Sequence, residues 1–131
     1  VLDNVLLHKT FQKYDIDTVF HAAAYKHVPM VEDNQLSALI NNVDGTINIL
    51  AKAVEGNCTS FTLVSTDKAV RPTNVMGATK RFAEIIIQSI HAANQRTKFC
   101  MVRFGNVINS SGSVIVIVTA DPTFIPDGPP E

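Results

Sequence analysis

Tryptophan is absent from the 131 residues, and tyrosine and cysteine occur only twice each. The two thiols, Cys58 and Cys100, stand alone, with no Cys-x-x-Cys and no His/Cys ligand spacing. That excludes a disulfide scaffold and a zinc site, and fits small thiols held in a reducing compartment. Charge of one sign is also lacking. The formal net charge is -1 and the isoelectric point about 6.5, with Lys80-Arg81 the one adjacent basic pair, so no field draws nucleic acid or an anionic membrane. No apolar run approaches the roughly 18 to 20 residues of a spanning helix, and the N-terminus has no signal pattern, so no membrane segment is expected. The chain opens without Met, and its first strand-like segment comes only at residues 18–22, which suggests a piece of something longer. What is present, 46% hydrophobic and 18% charged residues over a single-domain length, suffices for a core.

Taken in order, Asp3 or Asn4 can cap a helix running to about Tyr14, with Leu6, Leu7, Phe11 and Tyr14 on one side. Residues 16–23 hold the strand formers Thr18, Val19 and Phe20 and end in a run of alanines, Ala22, Ala23 and the following Ala24, small enough for close backbone approach to something flat. Residues 25–29 read as a loop that either faces a ligand or packs a crossover. Leu36, Leu39, Ile40, Val43, Ile47, Leu50 and Val54 keep a 3.6-residue period and predict one long amphipathic helix, stopped by Glu55-Gly56-Asn57. Gly45 inside it costs about 1 kcal/mol relative to Ala and marks a place where another element packs closely. Residues 61–65 form the next strand. Phe82, Ile85, Ile86 and Ile90 then predict the apolar face of a second long helix ending near Asn94, and residues 99–103 a third strand. A Gly, Asn and Ser-rich loop follows at 104–112, either bland or able to offer amides and hydroxyls to a phosphate or sugar. Residues 114–118 read as a strand or the first turn of a helix, and the prolines beyond them as irregular chain.

Alternating helix and strand means an α/β fold with a parallel sheet wound by right-handed crossovers. All carboxyl ends of such a sheet lie on one edge, so the loops at 25–27, 66–68 and 105 onward should meet at one crevice. The densest chemistry is at residues 65–80, where Thr66, Asp67 and Lys68 bring a hydroxyl, a carboxylate and an amine together and Lys80 follows one helical turn after Met76. An adjacent acid and amine can divide acid and base work while a hydroxyl orients an alcohol.

Thr66, a residue ten positions on, and Lys80 four later resemble the Ser/Thr, Tyr and Lys set of the extended short-chain dehydrogenase/reductases. The segments at 21–29, 65–74, 76–81 and 102–107 resemble, more narrowly, the CapD-type polysaccharide-biosynthesis proteins, UDP-N-acetylglucosamine 4,6-dehydratases with tightly held NAD or NADP. The resemblance covers roughly residues 1–115. It implies a partial Rossmann-like, doubly wound parallel sheet, with 1–115 the central, catalytic part of an NAD(P)-binding domain and 116–131 a divergent, irregular tail. The implied reaction oxidises C4 of the sugar, eliminates water across C5 and C6, and returns hydride to C6. Lys68 matches the base for the C5 proton, Asp67 the acid for the C6 hydroxyl, and Thr66 the partner of the C4 oxygen. Lys80 would hold the nicotinamide ribose, Ala22, Ala23 and Ala24 would lie along the cofactor, and Lys26, His27 and Asn106 would face the UDP-sugar. No metal is implied. A homo-oligomer is expected, cytoplasmic, in a parent attached to the cytoplasmic face of the inner membrane.

Two departures stand out. Met76 occupies the position of the catalytic Tyr, and a thioether takes no proton; either Asp67 takes over that step, the favoured explanation, or the protein is not a dehydratase in the usual sense. A Gly-x-Gly-x-x-Gly turn, which belongs to the first strand and helix of this fold, does not occur, so the 131 residues by themselves are expected to be inactive and to bind NAD(P) poorly. The alternatives are a nucleotide-sugar epimerase, disfavoured by the Asp-Lys pair, and a non-catalytic nucleotide-sugar or NAD(P)-binding module, favoured by Met76 and the missing turn.

Overall fold

The computed structural model describes residues 1–94 and 96–105 in full and the backbone of 118–120. Asp3 caps the first helix, α1 (Asn4–Lys13), its Oδ1 accepting from the Leu6 amide at 2.8 Å. Strand β1 (Thr18–His21) follows. Residues 25–27 form the expected loop, but Val28 and Pro29 already belong to a short helix, α2 (Val28–Asp33), with Pro29 in its first turn, where a missing amide hydrogen costs nothing. The long helix expected over residues 36–54 is a continuous run of α3 (Gln35–Leu39), a π turn (Ile40–Asp44) and α4 (Gly45–Glu55). Its stop is set by Asn57, which takes the left-handed conformation at φ 54°, while Gly56 stays at negative φ. Then come β2 (Ser60–Thr66), a 3₁₀ turn (Asp67–Ala69), α5 (Val75–Ala93), β3 (Lys98–Phe104) and β4 (Val118–Ala120).

The sheet order is β1-β2-β3-β4. The first three strands are parallel, with Val19 beside Phe61 and Phe61 beside Phe99, as the alternation of helix and strand requires. Strand β4 pairs antiparallel with β3, Arg103 opposite Val118, so the segment read as an irregular tail contributes a three-residue strand. Alternate residues of the parallel strands point into one core of Val19, Phe61, Leu63, Phe99 and Met101, closed by Leu50 and Ala53 of α4 and Ala83 and Ile87 of α5. Phe61 is fully buried, and Phe99 packs against it with ring centroids 6.2 Å apart.

The helices do not bury the faces that apolarity alone suggests. Leu36, Leu39, Ile40 and Ile47 are exposed, whereas Ala38, Asn42, Val43, Gly45, Thr46 and Leu50 are buried. On α5 the buried set is Met76, Gly77, Thr79, Lys80, Ala83, Glu84 and Ile87, and Phe82 and Ile85 face outward. Gly45 does mark a close approach: a Cβ there would lie 2.7 Å from Cγ2 of Val1. No helix among the described residues is long and apolar enough to cross a membrane, and they hold no cluster of three metal-ligating side chains.

Candidate active site

Strand β2 ends at Thr66, whose hydroxyl shapes the turn beyond it. Thr66 Oγ1 accepts from the Lys68 amide at 3.4 Å, nucleating the 3₁₀ turn, and donates to Asp67 Oδ1 at 3.0 Å. Lys68 Nζ lies 3.4 Å from the same carboxylate oxygen. Partial burial opposes ionisation of Asp67, but the bonds from Thr66 and Lys68 prevail and hold its carboxyl below the ordinary carboxylate range. The three residues are therefore a coupled set, with Asp67 on its exposed side.

Helix α5 begins against this turn. Asn74 caps it by accepting from the Gly77 amide at 2.8 Å, and Glu32 of α2 accepts from the Val75 amide at 2.7 Å, a carboxylate placed at the positive end of the helix. Gly77 passes so close to the turn that a Cβ would sit 2.5 Å from the Lys68 carbonyl oxygen. One turn on, Lys80 is 9% exposed and donates from Nζ to the Val64 carbonyl of β2 at 2.9 Å. Burial lowers its pKa from the ordinary ammonium range, against the opposing field of Glu84.

The loop after β1 is held by Asn42, presented inward by the π turn, a local irregularity common at functional sites. Its Oδ1 accepts from the Tyr25 amide at 2.7 Å, and its Nδ2 donates to the Tyr25 carbonyl at 3.1 Å and to Thr79 Oγ1 at 3.0 Å. One amide side chain thus ties the loop to α5. His21, closing β1, is buried; Thr46 Oγ1 donates to the Asn42 carbonyl at 2.6 Å and so receives the His21 Nε2 hydrogen at 2.9 Å. Burial and the charge of Lys80 push the His21 pKa down to about 4, leaving a neutral ring under the Ala-rich turn.

These elements enclose a crevice of about 480 Å³ at the carboxyl edge of the sheet. Ala22, Ala24, Lys26, Thr66, Lys68, Met76 and Lys80 line it together with Ser65, Phe104 and Gly105, so strand ends distant in sequence do converge. Asp67 sits at the rim, its Oδ2 3.6 Å from where a Gly105 Cβ would be. Ala23 is exposed and does not line the crevice. His27 opens into a neighbouring cavity of about 560 Å³ that shares Ala24 and Lys26 with it. Asn106 lies outside the described residues. Met76 both lines the crevice and packs with Val31 and Ala38 in a small second core. Asn42, Glu84 and Arg103 were not singled out from sequence. A stripe of Lys80, Ala83, Glu84 and Ile87 at three- and four-residue intervals carries the signal for Glu84, a charge in a buried helical row.

A parallel α/β sheet whose strand ends gather an alanine turn, a Thr-Asp-Lys cluster and a buried helical lysine defines a Rossmann-type domain of the extended short-chain dehydrogenase/reductase class. Over 79% of its length the chain superposes on a solved UDP-glucose 4-epimerase from Bifidobacterium longum, in complex with NAD+ and UDP, with a TM-score of 0.75 at 22% identity, covering 35% of that chain. The family described as "Polysaccharide biosynthesis protein" matches residues 1–121, somewhat beyond the roughly 1–115 over which the sequence resemblance extends, and the chain belongs to it. It is 57% identical over 97 residues to the capsular polysaccharide biosynthesis protein CapD of Staphylococcus aureus, covering 74% of this chain and 16% of that one. To a UDP-N-acetylglucosamine 4,6-dehydratase (inverting) of Campylobacter jejuni it is 39% identical over 103 residues, 77% of this chain and 31% of the relative. To a UDP-glucose 4-epimerase of Rickettsia canadensis it is 41% identical over 104 residues, 78% and 30% respectively. The chain therefore spans less than a third of the length of each of these curated relatives.

Proposed function

We propose that the protein is a nucleotide-sugar 4,6-dehydratase of surface-polysaccharide biosynthesis, acting on a UDP-N-acetylglucosamine-type substrate. The observation that supports this most is the contact chain Thr66–Asp67–Lys68 at the crevice, a hydroxyl at 3.0 Å and an amine at 3.4 Å from one oxygen of an ionised carboxylate. Elimination across C5 and C6 needs a base for a carbon acid and an acid for the adjacent hydroxyl, which such a pair supplies. In the absence of a substrate the Asp67 carboxyl is held ionised, so its first task is as acceptor. Thr66 receives the C4 hydroxyl proton and passes its own to Asp67 Oδ1, the step for which Met76 offers no group. Asp67, now protonated, is the acid for the departing C6 hydroxyl, and Lys68 is the base for the C5 proton.

The residues present fit the nicotinamide end of NAD or NADP: Ala22 and Ala24 leave room for a flat ring, and Lys80, which lines the crevice, would hold a ribose hydroxyl. When bound, that group supplies the hydride acceptor and donor. Lys26 and the adjoining cavity with His27 suit the phosphates and sugar of the substrate, and Ala23 and Asn106 belong to the same proposal as cofactor and sugar contacts. The exposed apolar residues Leu36, Leu39, Ile40, Phe82 and Ile85 on helices that touch one another support a homo-oligomer. A cytoplasmic site, on the inner face of the membrane, is part of the same reading.

The 41% identity to an epimerase favours a second reading, C4 epimerisation. Incubating the full-length parent of this chain with UDP-N-acetylglucosamine and NAD(P) decides between them by proton NMR. A new C6 methyl signal is expected; an inverted C4 centre with no methyl signal would overturn the dehydratase reading. Asp67→Asn and Lys68→Ala are each expected to abolish the methyl signal, and turnover surviving either would remove that residue from its role.

A further inference from the structure

Glu84 is fully buried beneath the crevice, yet it touches none of the space a substrate would fill. Its Oε1 accepts from Ser65 Oγ at 2.7 Å and from Arg103 Nε at 2.9 Å; its Oε2 accepts from Arg103 Nη2 at 2.7 Å and Arg81 Nη1 at 2.9 Å. Both carboxylate oxygens are thus satisfied, by groups from β2, β3 and α5. Against the cost of burial, the bonds from Arg103, Ser65 and Arg81 hold Glu84 below the ordinary carboxylate range, and the charge persists inside the core. Stability alone does not account for such a cluster, because buried ion pairs commonly gain little over apolar residues of the same volume. Ala83 and Ile87 on the same helix already supply apolar contact with the sheet.

The positions of the partners are more telling. Ser65 immediately precedes Thr66, Glu84 follows Lys80 by one helical turn, and Arg103 lies two residues before Gly105, the neighbour of Asp67 Oδ2. The charged and titratable groups around Lys80 are His21 of β1, a neutral ring; Lys26 and Lys68, which line the same crevice; and Glu84 on its own helix, whose field favours the ammonium.

We propose that Glu84 is a positioning residue: gripping β2 through Ser65 and β3 through Arg103, it fixes the turn of α5 that carries Lys80 against the end of β2. The proposal rests on the reading of the crevice as a catalytic site. Its central consequence, the behaviour of Lys80, is measurable without any substrate.

The experiment is Glu84→Gln in the protein labelled with ¹³Cε-lysine, with Lys80→Arg to assign the Lys80 signal. In Glu84→Gln the Lys80 signal is expected to titrate at lower pH than in the wild type. The kcat is expected to fall on the order of 10-fold to 100-fold, the effect of a small displacement transmitted to reacting groups, with KM within about 3-fold. The alkaline limb of the pH profile should move to lower pH. Glu84→Asp, which keeps the charge, should return the Lys80 titration toward that of the wild type. Should Glu84→Gln fail to fold, Glu84→Met combined with Arg103→Met removes both buried charges together, leaving Arg81, whose side chain is 31% exposed, free to turn to water. The double variant removes a cation along with the carboxylate, so its readout is kcat, which is expected to fall as in Glu84→Gln. A folded Glu84→Gln with wild-type Lys80 titration, or a folded double variant with wild-type kcat, overturns the proposal. Absence of turnover in the wild-type full-length parent would overturn the dehydratase reading instead and leave the titration to decide this one.

Discussion

Gly77→Ala is a one-carbon test of whether the 3₁₀ turn and α5 must meet as closely as they do. The added Cβ would lie 2.5 Å from the Lys68 carbonyl oxygen and 3.3 Å from its carbonyl carbon, both backbone atoms that cannot rotate away. Ordinary contact begins at 3.4 Å, so the turn or the helix must give way by about 0.9 Å. Alanine in place of glycine favours the helix by about 1 kcal/mol, and overpacking costs about 1–3 kcal/mol, so the net loss of stability is about 0–2 kcal/mol. The chemical effect is larger than the thermodynamic one. The atom displaced belongs to Lys68, and a shift near 1 Å costs on the order of 100-fold in rate. Urea unfolding of Gly77→Ala should therefore show a midpoint lowered by no more than about 2 kcal/mol implies, while kcat of the full-length parent for the C6 methyl product falls on the order of 100-fold. A variant that keeps kcat within 2-fold of the wild type would refute the claim that this approach positions the amine.

Thr66→Val removes the hydroxyl that holds Asp67 low. Because a depressed carboxyl stays ionised to lower pH, its loss should move the acid limb of the kcat profile to higher pH, with a rate loss on the order of 100-fold; an unmoved limb would contradict the Thr66–Asp67 coupling. Met76→Leu conserves volume in the small core with Val31 and Ala38, and should cost less than about 1.5 kcal/mol and leave kcat within a few-fold. A loss beyond about 10-fold would show that the sulfur does more than fill space. Asn42→Ala strands the Tyr25 amide and carbonyl, with a penalty of about 1–3 kcal/mol for each group left unsatisfied. Hydrogen exchange should show the Tyr25 amide losing protection, and full protection would mean that the loop is held by other contacts.

The parallel sheet and the convergence of its strand ends were legible because buried strands announce themselves by short apolar runs, as at 61–65 and 99–103, and parallel topology does the rest. Which helical face turned inward was less legible. Phe82 and Ile85 outrank Ala83 and Glu84 on any hydrophobicity scale, yet the smaller residues face the sheet, because α5 lies close enough to donate from Lys80 to a strand carbonyl. A six-residue helix such as α2 has too few turns to show a period, and the residues 25–29 that overlap it carry only the cue of Pro29. The pairing of β4 with β3 is a non-local choice that three residues do not encode by themselves. Within the site, Thr66, Lys68 and Lys80 stood out by chemistry in a polar stretch, while Asn42 hid in a helical pattern whose irregular turn has no sequence signature.

Two polar contacts join α5 to β2, Lys80 to the Val64 carbonyl and Glu84 to the Ser65 hydroxyl, one turn apart on the helix and on adjacent strand residues. Apolar surfaces slide over one another at little cost, which is how packed helices accommodate shear. Hydrogen bonds of 2.9 Å and 2.7 Å do not slide; they hold or break. Helix and strand are therefore tied to move as one rigid body, and any rearrangement of the crevice falls to hinges outside this pair, with Thr66 and Lys80 keeping their separation.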